Sequence, residues 1–423
     1  MHLIGLDIGT TSICAVLANS ETGEILKSIT KPNDSFIKTD KEWEKIQSCE
    51  KIYSTIEEIL SEIYDGNVSA IGISNQMHGI LYVDSSANAV SPLYIWQDSR
   101  ADLPYKNSTY SKQFGAPAGY GLATDYYNEL NSLIPENAVK LVTIGDYTAM
   151  RLTGENEIKT HISNAGSLGK FDVKTNSFTI DNPRIPSVTD KFETVGYYKC
   201  KTPVCCAIGD NQASFLGSVR GNGALLNVGT GSQISFTTDS ADSSESIEIR
   251  PLDGERYLGV GAALCGGRAF SLLEKLISSV TGKNAYPVID KILETKTTTD
   301  LIADTRFCGT RSEASIRGSI TNISESNFTL GDIALAILNG MTNELYDMFS
   351  SSGNKCASLV GSGNGIRKNE PLKRIAGAKF GCEIKIPVHS EEASFGAALT
   401  AGVASGIFKN ISEAQNLIKY QGE

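Results

Sequence analysis

The stretch that decides the fold is Leu3-Ile-Gly-Leu-Asp7-Ile-Gly9-Thr10-Thr11-Ser12-Ile-Cys-Ala-Val-Leu-Ala18. Two apolar runs flank a Gly-Thr-Thr-Ser turn, a pattern typical of a tight β-hairpin. The turn offers backbone N–H groups and small hydroxyls, which suit an anionic ligand. Asp7 stands where the first strand ends, so its carboxylate can reach that ligand through a divalent cation. The stretch predicts a phosphate-binding hairpin, although a glycine that merely permits the turn would explain it equally well.

A second copy of this pattern favours the functional interpretation. Leu225-Leu-Asn-Val-Gly229-Thr230-Gly231-Ser232-Gln-Ile-Ser-Phe236 repeats the strand, the Gly-Thr-x-Ser turn and the following strand. Two such units in one chain indicate two related domains that face one ligand. The only boundary signal is Lys201-Thr-Pro203, so we expect an N-terminal domain over 1–203 and a C-terminal domain over 204–423. A chain of 423 residues can build two sizeable cores.

Composition narrows the class of protein. The chain is 40% hydrophobic and 20% charged, which is ordinary for a globular protein. Its net charge of −10 argues against nucleic acid as a partner, because such proteins usually present a basic face. The start of the chain has no basic segment typical of a signal peptide, and we expect no membrane span. Nine scattered cysteines, an odd number, suit a reducing, cytoplasmic environment.

Apolar periodicity predicts an alternation of strands and helices. Thr39-Asp40 would cap a helix containing Trp43, Ile46 and further isoleucines, and Ser69–Ser74 would form a buried strand. The Ala- and Gly-rich segment from Glu392 to Gly406 predicts a closely packed helix without a catalytic role. The ligand crevice of open α/β sheets lies beyond the carboxyl ends of the strands. Motifs that follow strands therefore carry most weight.

Several polar motifs stand at such places. Trp96, Asp98 and Arg100 join a ring, a carboxylate and a guanidinium, which suits polyol recognition, although a strand followed by a surface salt bridge is the simpler interpretation. Cys205-Cys-Ala-Ile-Gly209-Asp210-Asn211-Gln212 is a strand that ends in an acid and enters a helix. It is the second strand, after the one ending at Asp7, that delivers a carboxylate to a cleft.

Six motifs in order span nearly the whole chain: Asp7-x-Gly-Thr-Thr, Gln76-Met-His-Gly79, Trp96-Gln-Asp-x-Arg100, Gly209-Asp-Asn-Gln212, Gly229-Thr-Gly231 and Gly361-Ser-Gly363. Together they resemble the FGGY carbohydrate kinases. The resemblance implies an α/β fold of two ribonuclease-H-like domains, of the actin, hexokinase and heat-shock-70 superfamily, with the active site in the cleft between them. It also implies ATP and Mg²⁺ as cofactors.

The resemblance implies a role for each matching residue. Asp210 would be the catalytic base and Asp7 would organise Mg²⁺. The nucleotide would be bound by Gly9, Thr10, Thr11, Gly229, Thr230, Gly231, Gly267, Gly361, Gly363 and Asn369. The sugar would be bound by Met77, His78, Trp96, Asp98, Asp146 and Asn211, with His78 in a hydrogen-bonding or packing role. The expected partner is a small-molecule sugar, and the protein would be a monomer or a homodimer.

Within the family, segments such as Asn164-Ala-Gly-Ser-Leu-Gly-Lys-Phe171 are most similar to kinases of sedoheptulose. The expected reaction is phosphorylation of a ketose at its terminal primary hydroxyl, giving sedoheptulose 7-phosphate. A kinase of xylulose or ribulose is the nearest alternative. A non-catalytic sugar sensor on this fold and a chaperone-like ATPase are more distant ones. Gly309-Thr310-Arg311 replaces the Gly-Glu-Arg of many family members, so a contact made by that glutamate would be absent.

Overall fold

A computed structural model describes residues 1–310 and 313–423. The chain forms two compact units. The first comprises Met1–Arg220, Arg250–Tyr257 and Glu391–Ile418, and the second comprises Gly221–Ile249, Leu258–Ser390 and Lys419–Glu423. The boundary expected between residues 203 and 204 concerns the two family-type halves and stays a prediction.

A mixed β-sheet organises the first unit. Its strands lie in the order Thr194–Tyr198, Thr202–Cys205, Val68–Asn75, His2–Ile8, Ser12–Asn19 and Ile25–Pro32, and Ile208–Gly209 pairs with Val68–Asn75. His2–Ile8 and Ser12–Asn19 form the antiparallel hairpin that the opening stretch predicts. Val68–Asn75 runs parallel to the first strand, so the ends at Ile8 and Asn75 lie side by side. This edge of the sheet carries Asp7 and the segment that follows Asn75.

The helices of the first unit cover the sheet and one another. They are Cys49–Ile63, Tyr110–Phe114, Gly121–Leu130, Ile144–Thr153, Ile162–Ala165, Asp210–Ser218, Glu392–Ala404 and Ile411–Ala414, with short 3-10 turns at Arg100–Asp102 and Gln415–Leu417. The helix expected from Thr39-Asp40 begins only at Cys49. Ser48 is its N-cap and accepts a hydrogen bond from the Lys51 N–H, while Ile46 belongs to a short strand. The expected start was wrong because Ser48 caps the helix and Ile46–Gln47 pairs with Leu93–Tyr94.

Small residues let the helix Glu392–Ala404 approach its neighbours closely, as the sequence predicts. A β-carbon placed on Gly5 would lie 1.7 Å from the Ser394 carbonyl oxygen, and one on Gly72 would lie 1.8 Å from that of Ala397. A β-carbon on Gly396 would lie 1.9 Å from the carbonyl oxygen of Ala213, in the helix Asp210–Ser218. Glycine is therefore required at these contacts. The helix Glu392–Ala404 therefore packs closely both on the sheet and on the helix that begins at Asp210.

The second unit repeats the plan with a different set of helices. Neighbouring strands of its sheet are Tyr257–Ala263, Ser232–Thr238, Ala224–Val228, Leu359–Ser362 and Ile384–Lys385. Ala224–Val228 and Ser232–Thr238 form the second hairpin, and Leu359–Ser362 runs parallel to Ala224–Val228. The helices are Gly266–Thr281, Tyr286–Thr295, Leu330–Ser351, Asn364–Arg367 and Glu370–Phe380. Glu248–Pro251 is a strand that spans the change from the second unit to the first.

Short paired strands complete both units. The pairs are Leu81–Val83 with Lys140–Val142, Ile46–Gln47 with Leu93–Tyr94, Pro104–Tyr105 with Ser108–Thr109, Thr160–His161 with Val188–Thr189, Phe171–Asp172 with Ser177–Phe178, and Ile302–Asp304 with Ser319–Thr321. Within residues 1–310 and 313–423, every helix is too short or too polar to cross a membrane.

Candidate active site

The first loop, Gly9-Thr10-Thr11-Ser12, is a tight turn whose carbonyl groups accept hydrogen bonds from other parts of the protein. The Gly9 N–H donates to the Ser12 carbonyl at 3.0 Å and closes the turn. Asn33 donates its Nδ2 to the Gly9 carbonyl at 2.8 Å and its backbone N–H to the Thr11 carbonyl at 2.9 Å. Gln47 Nε2 donates to the Thr10 carbonyl at 2.8 Å. Because these carbonyl oxygens accept hydrogen bonds from the protein, they are not turned toward a bound anion.

Asp7 precedes this loop and is partly accessible. The Ser74 hydroxyl donates to Asp7 Oδ1 at 2.7 Å from the neighbouring parallel strand. Burial raises the pKa of the Asp7 carboxyl, and the Ser74 hydrogen bond opposes that rise. A carboxylate at a strand end beside a phosphate-type loop is the hard oxygen ligand that Mg²⁺ takes together with phosphate oxygens and water. The chemistry of this position fits the predicted metal.

Asp210 is the first residue of the helix Asp210–Ser218, with Gly209 as N-cap. Its pKa is raised to about 7, first by burial and then by the negative charge of Asp7, while the positive charge of Arg250 opposes the rise. All three residues belong to the first unit. A carboxyl that titrates near neutral pH beside a second carboxylate is matched to proton transfer. The structure thus associates the two acids that the sequence places at separate strand ends.

The segment His161–Ser167 supports both Asp210 and His78. The Ser163 hydroxyl accepts the N–H of Gly209 at 3.1 Å, and Asn164 Nδ2 donates to Asn75 Oδ1 and to the Ala207 carbonyl, each at 3.0 Å. The His78 N–H donates to Ser167 Oγ at 3.1 Å. These side chains, all buried, connect the ends of the strands that precede His78 and Asp210.

Met77 and His78 follow the strand Val68–Asn75. Met77 is buried, and its sulfur lies 3.9 Å from Nη1 of Arg250. His78 has a left-handed backbone with φ of 73°, unusual for a non-glycine residue. Its Nδ1 donates to the Ser167 carbonyl at 2.7 Å and its ring stacks on Tyr120 with centroids 4.3 Å apart. These contacts hold His78 in place, and its hydrogen-bonding or packing role at the sugar stays a prediction.

Trp96 lies next to the first loop. Its side chain is 49% exposed, and its Nε1 donates to the Thr10 hydroxyl at 3.0 Å. The Thr10 hydroxyl in turn donates to Gln76 Oε1 at 2.9 Å. An exposed indole ring whose Nε1 is fixed by a hydrogen bond is a suitable surface for the apolar face of a sugar. The Thr10 O–H is engaged with the protein, so of its two donors the backbone N–H suits a phosphate better.

Asp98 and Asp146 are both engaged by protein donors. Asp98 is 1% exposed, and Arg100 Nε donates to its Oδ1 at 2.7 Å while the Lys45 N–H donates to its Oδ2. The simpler interpretation of this motif was a surface salt bridge, whereas the pair is buried. Asp146 is fully buried in a capping box with Thr143, and Thr160 donates to its Oδ2. Burial raises the pKa of Asp146 to about 6. Direct contact of either acid with a sugar stays a prediction.

Asn211 follows the base candidate directly. Its Oδ1 is buried and has no protein hydrogen-bond partner among the described residues. A buried amide oxygen without a partner costs free energy unless a ligand or water supplies a donor. This oxygen is therefore suited to accept a sugar hydroxyl beside Asp210.

The second loop, Val228-Gly229-Thr230-Gly231, is supported by main-chain groups in the second unit. The Gly229 N–H donates to the Gly231 carbonyl at 2.9 Å. Gly267 and Arg268, in the first turn of the helix Gly266–Thr281, donate their N–H groups to the carbonyls of Gly229 and Thr230 at 2.9 and 3.0 Å. A β-carbon on Gly267 would lie 2.5 Å from the Gly229 carbonyl oxygen. Gly267 thus acts through close packing against the loop.

The remaining nucleotide candidates lie in the same unit. Gly361 is a buried strand residue, and Gly363, with φ of 82°, would place a β-carbon 2.7 Å from the Val228 carbonyl oxygen. Asn369 is the N-cap of the helix Glu370–Phe380 and accepts the Leu372 N–H at 2.8 Å. Gly363 is thus adjacent to the second loop. In the departure at Gly309-Thr310-Arg311, Arg311 lies outside the described residues.

The sequence analysis did not identify several residues that support the candidate site. Arg250 comes from a strand far along the chain, yet its charge acts on Asp210. Asn33 and Gln47 hold the first loop, and Ser163 holds the Gly209 N–H. None of them belongs to a motif, so only the polar character of residues that turn out to be buried could have indicated them.

Comparison with known protein families identifies the family to which the sequence of this chain belongs. Residues 2–112 match the N-terminal domain of the FGGY family of carbohydrate kinases, and residues 228–405 match its C-terminal domain. The chain belongs to the FGGY family of carbohydrate kinases. The predicted membership and the predicted two-domain α/β fold, consistent with ribonuclease-H-like domains, are confirmed. The protein is a sugar kinase, a phosphotransferase with an alcohol acceptor, and sugar kinases of this family use ATP as phosphate donor.

Individual relatives cover nearly the whole chain of this FGGY kinase. Sedoheptulokinase of Mus musculus is 26% identical, over 94% of this chain and 96% of its own length. Xylulose kinase of Staphylococcus xylosus is 22% identical over 97% of this chain and 92% of its own. A ligand-bound xylulose kinase from Lactobacillus acidophilus superposes with a TM-score of 0.85 at 20% identity, covering 99% of this chain and 92% of that one. This structural likeness shows the fold.

Proposed function

We propose that this FGGY kinase phosphorylates the terminal primary hydroxyl of a ketose, converting sedoheptulose and MgATP into sedoheptulose 7-phosphate and ADP. The observation that carries the proposal is the partly accessible Asp210 carboxyl, whose pKa is raised to about 7 beside Asp7. A base with this pKa is half deprotonated near neutral pH and can take the proton of an attacking hydroxyl. The similarity to the mouse sedoheptulokinase supports the choice of sugar.

In the proposed reaction, Asp210 accepts the proton as the sugar oxygen forms a bond to the γ-phosphorus. The bond from that phosphorus to the β–γ bridging oxygen breaks, and ADP leaves. No covalent enzyme intermediate is needed, because positioning and charge neutralisation supply most of the acceleration. Asp7 would hold Mg²⁺, which supplies positive charge for the phosphate oxygens. The Asn211 amide and the Trp96 ring bind and orient the sugar, with Met77 and His78 alongside.

The nucleotide is proposed to be held by main-chain donors. Thr10 and Thr11 in the first loop and Gly229, Thr230 and Gly231 in the second offer N–H groups to phosphates. Gly267, Gly361, Gly363 and Asn369 would border the adenosine, where absent side chains permit close approach.

The cysteines, none in a disulfide within the described residues, support a cytoplasmic location.

A pentulose kinase is the second candidate, because xylulose kinases are also similar over nearly the whole chain. The test is ADP release in a coupled assay with sedoheptulose, xylulose, ribulose, gluconate and glycerol, with products identified by mass spectrometry. The proposal predicts the highest kcat/KM for sedoheptulose and loss of turnover when magnesium is chelated. A higher kcat/KM for xylulose or ribulose would replace the substrate assignment. If none of these sugars causes ADP release, the result would favour a non-catalytic sensor.

A further inference from the structure

A chain of hydrogen bonds connects the exposed ring of Trp96 to the interior of the first unit through the first loop. Trp96 Nε1 is 3.0 Å from Thr10 Oγ1, which is 2.9 Å from Gln76 Oε1. Gln76 Nε2 is 2.9 Å from Gln47 Oε1, and Gln47 Nε2 is 2.8 Å from the Thr10 carbonyl. The chain starts on the surface ring, passes the loop side chain and two amides, and returns to the loop backbone.

The direction of every bond in this chain is fixed by its two ends. An indole N–H can only donate, so the Thr10 oxygen accepts from Trp96 and keeps its own hydrogen for a second partner. A backbone carbonyl can only accept, so Gln47 turns its NH₂ toward Thr10 and its oxygen toward Gln76. Gln76 then presents its NH₂ to Gln47 and its oxygen to Thr10. Both amide orientations follow from chemistry and agree with one another.

Burial makes the arrangement costly to disturb. Gln47 is fully buried and Gln76 is 2% exposed, whereas Trp96 is 49% exposed. A buried amide that loses its partner pays the full desolvation cost, so the two glutamines favour the single orientation that satisfies both. Trp96 has no such constraint from its exposed face. The hydrogen bond from its Nε1 to Thr10 is therefore a contact that can orient the ring.

We propose that Thr10, Gln76 and Gln47 are positioning residues that fix the Trp96 indole as the sugar-binding surface and join it to the first loop. The proposal rests on the proposed function, in which Trp96 meets the sugar. In this account the Thr10 hydroxyl serves the sugar and only its backbone serves the phosphates. The chain begins at the Thr10 hydroxyl and returns to the Thr10 carbonyl. A change in the Gln76 or Gln47 amide therefore alters the orientation of the Trp96 ring, which is two hydrogen bonds away.

The first test needs no substrate. The chain has two tryptophans, so Trp43→Phe leaves Trp96 as the single tryptophan, whose indole is excited at wavelengths that the tyrosines do not absorb. In that background Thr10→Val, which keeps the shape and removes the hydroxyl, is expected to lower the fluorescence anisotropy of Trp96. Thr10→Ser is expected to restore it. Gln47→Met, which does not touch Trp96, is expected to lower it as well. Anisotropy unchanged in Thr10→Val would overturn the proposal.

A matched control removes another threonine hydroxyl from the same unit. Thr148 is fully buried and donates to the Ile144 carbonyl at 2.8 Å within its helix. Thr148→Val is expected to leave the anisotropy unchanged. A decrease there equal to that of Thr10→Val would mean that general loosening, not the chain, moves the ring, and would overturn the proposal.

The second test separates positioning from phosphate binding. Loss of one such hydrogen bond corresponds to about a 3- to 10-fold change in an equilibrium. Thr10→Val is therefore expected to raise KM for the ketose by about 3- to 10-fold, with the KM for ATP unchanged and with rescue by Thr10→Ser. A rise in the KM for ATP alone would show a phosphate-binding hydroxyl and contradict the proposal. If no ketose is phosphorylated the proposed function fails, and the anisotropy result still decides whether the chain exists.

Discussion

The first and second loops share a sequence pattern and a sheet position but differ in charge. Asp7-Ile-Gly9-Thr10 and Asn227-Val-Gly229-Thr230 both end the first strand of a hairpin. In the parallel neighbouring strand, Ser74 is paired with Asp7 and Ser362 with Asn227. The repeat therefore extends to the residue register of the adjacent strand. The acid, however, is present only in the first copy, in the unit that also contains Asp210.

The two loops are also supported by different parts of the chain. Side chains of Asn33 and Gln47 hold the carbonyls of the first loop, whereas backbone N–H groups of Gly267 and Arg268 hold those of the second. Side-chain support can be changed one hydrogen bond at a time, while main-chain support depends on the absence of a side chain at Gly267. The same motif is thus adjustable in one unit and sterically fixed in the other.

Asp7→Asn makes the first loop resemble the second and has the largest expected effect of the changes that compare the two loops. We expect kcat to fall by about 10²–10³-fold, the scale seen when a preorganised charge contact to the reacting group is lost. Burial raises the pKa of Asp7, so its ionisation opposes folding as the pH rises above the unfolded pKa of about 4. The unfolding temperature at pH 8 should therefore not decrease. Steady-state kinetics and thermal unfolding check both points, and near-normal turnover would contradict the assignment of charge to the first loop.

Gly267→Ala tests the steric support of the second loop. The new β-carbon would lie 2.5 Å from the Gly229 carbonyl oxygen, so the helix or the loop must shift. Overpacking of this kind costs about 1–3 kcal/mol. We expect that loss in the free energy of unfolding and a higher KM for ATP. Gly66→Ala is the control and should change neither quantity, because no described residue other than its chain neighbours comes within 4 Å of the new carbon. Equal effects of the two variants would remove the steric argument.

Asn33→Ala tests the adjustable support of the first loop. It removes the Nδ2 donor to the Gly9 carbonyl and the Oδ1 acceptor of the buried Ser35 hydroxyl, and it keeps the backbone bond to Thr11. The expected cost is about 0.5–1.5 kcal/mol in the free energy of unfolding, together with a KM for ATP several-fold higher. Asn131→Ala removes a similar amide-to-carbonyl bond on the surface and serves as control. Chemical denaturation and kinetics measure both, and an unchanged KM for ATP in Asn33→Ala would show that the loop needs no such support.

Arg250→Met has the smallest expected effect, a shift in pH dependence. Arg250 lowers the pKa of Asp210, so its removal raises that pKa above about 7. The base must be deprotonated to act, so the acidic limb of kcat/KM should move to higher pH by about 0.5–1 unit. Arg256→Met, at an arginine paired with Asp253 in the same unit, is the control and should leave the limb in place. A limb that moves to lower pH in Arg250→Met would contradict the stated electrostatics.

The sequence predicted those parts of the fold that depend on local patterns. Both hairpins, the strand predicted over Ser69–Ser74 and found over Val68–Asn75, and the Gly209-Asp210 junction follow from apolar periodicity and glycine placement. The start of the helix Cys49–Ile63 did not, because the N-cap at Ser48 competes with an equally plausible cap at Thr39. Helix ends depend on which cap the tertiary contacts allow.

Candidate site residues could be selected from the sequence where a motif contains them, but not where distant residues support them. Asp7, Asp210 and Trp96 were selected from their places after strands. The influence of Arg250 on Asp210 and the chain from Trp96 to Gln47 depend on residues brought together only by folding. Asp98 and Asp146 show the converse limit, because a polar residue in a motif can be occupied by a buried Arg100 or a capping box.

The central claim is that Asp210 takes the proton of the sugar hydroxyl. The most direct measurement is single-turnover phosphoryl transfer by Asp210→Asn with saturating MgATP and ketose, compared with Asp239→Asn at an exposed aspartate. The account predicts a rate about 10²–10⁴-fold lower for Asp210→Asn, with ATP binding retained and the rate no longer rising with pH near 7. A single-turnover rate within a few-fold of the parent, with the same pH dependence, would contradict it.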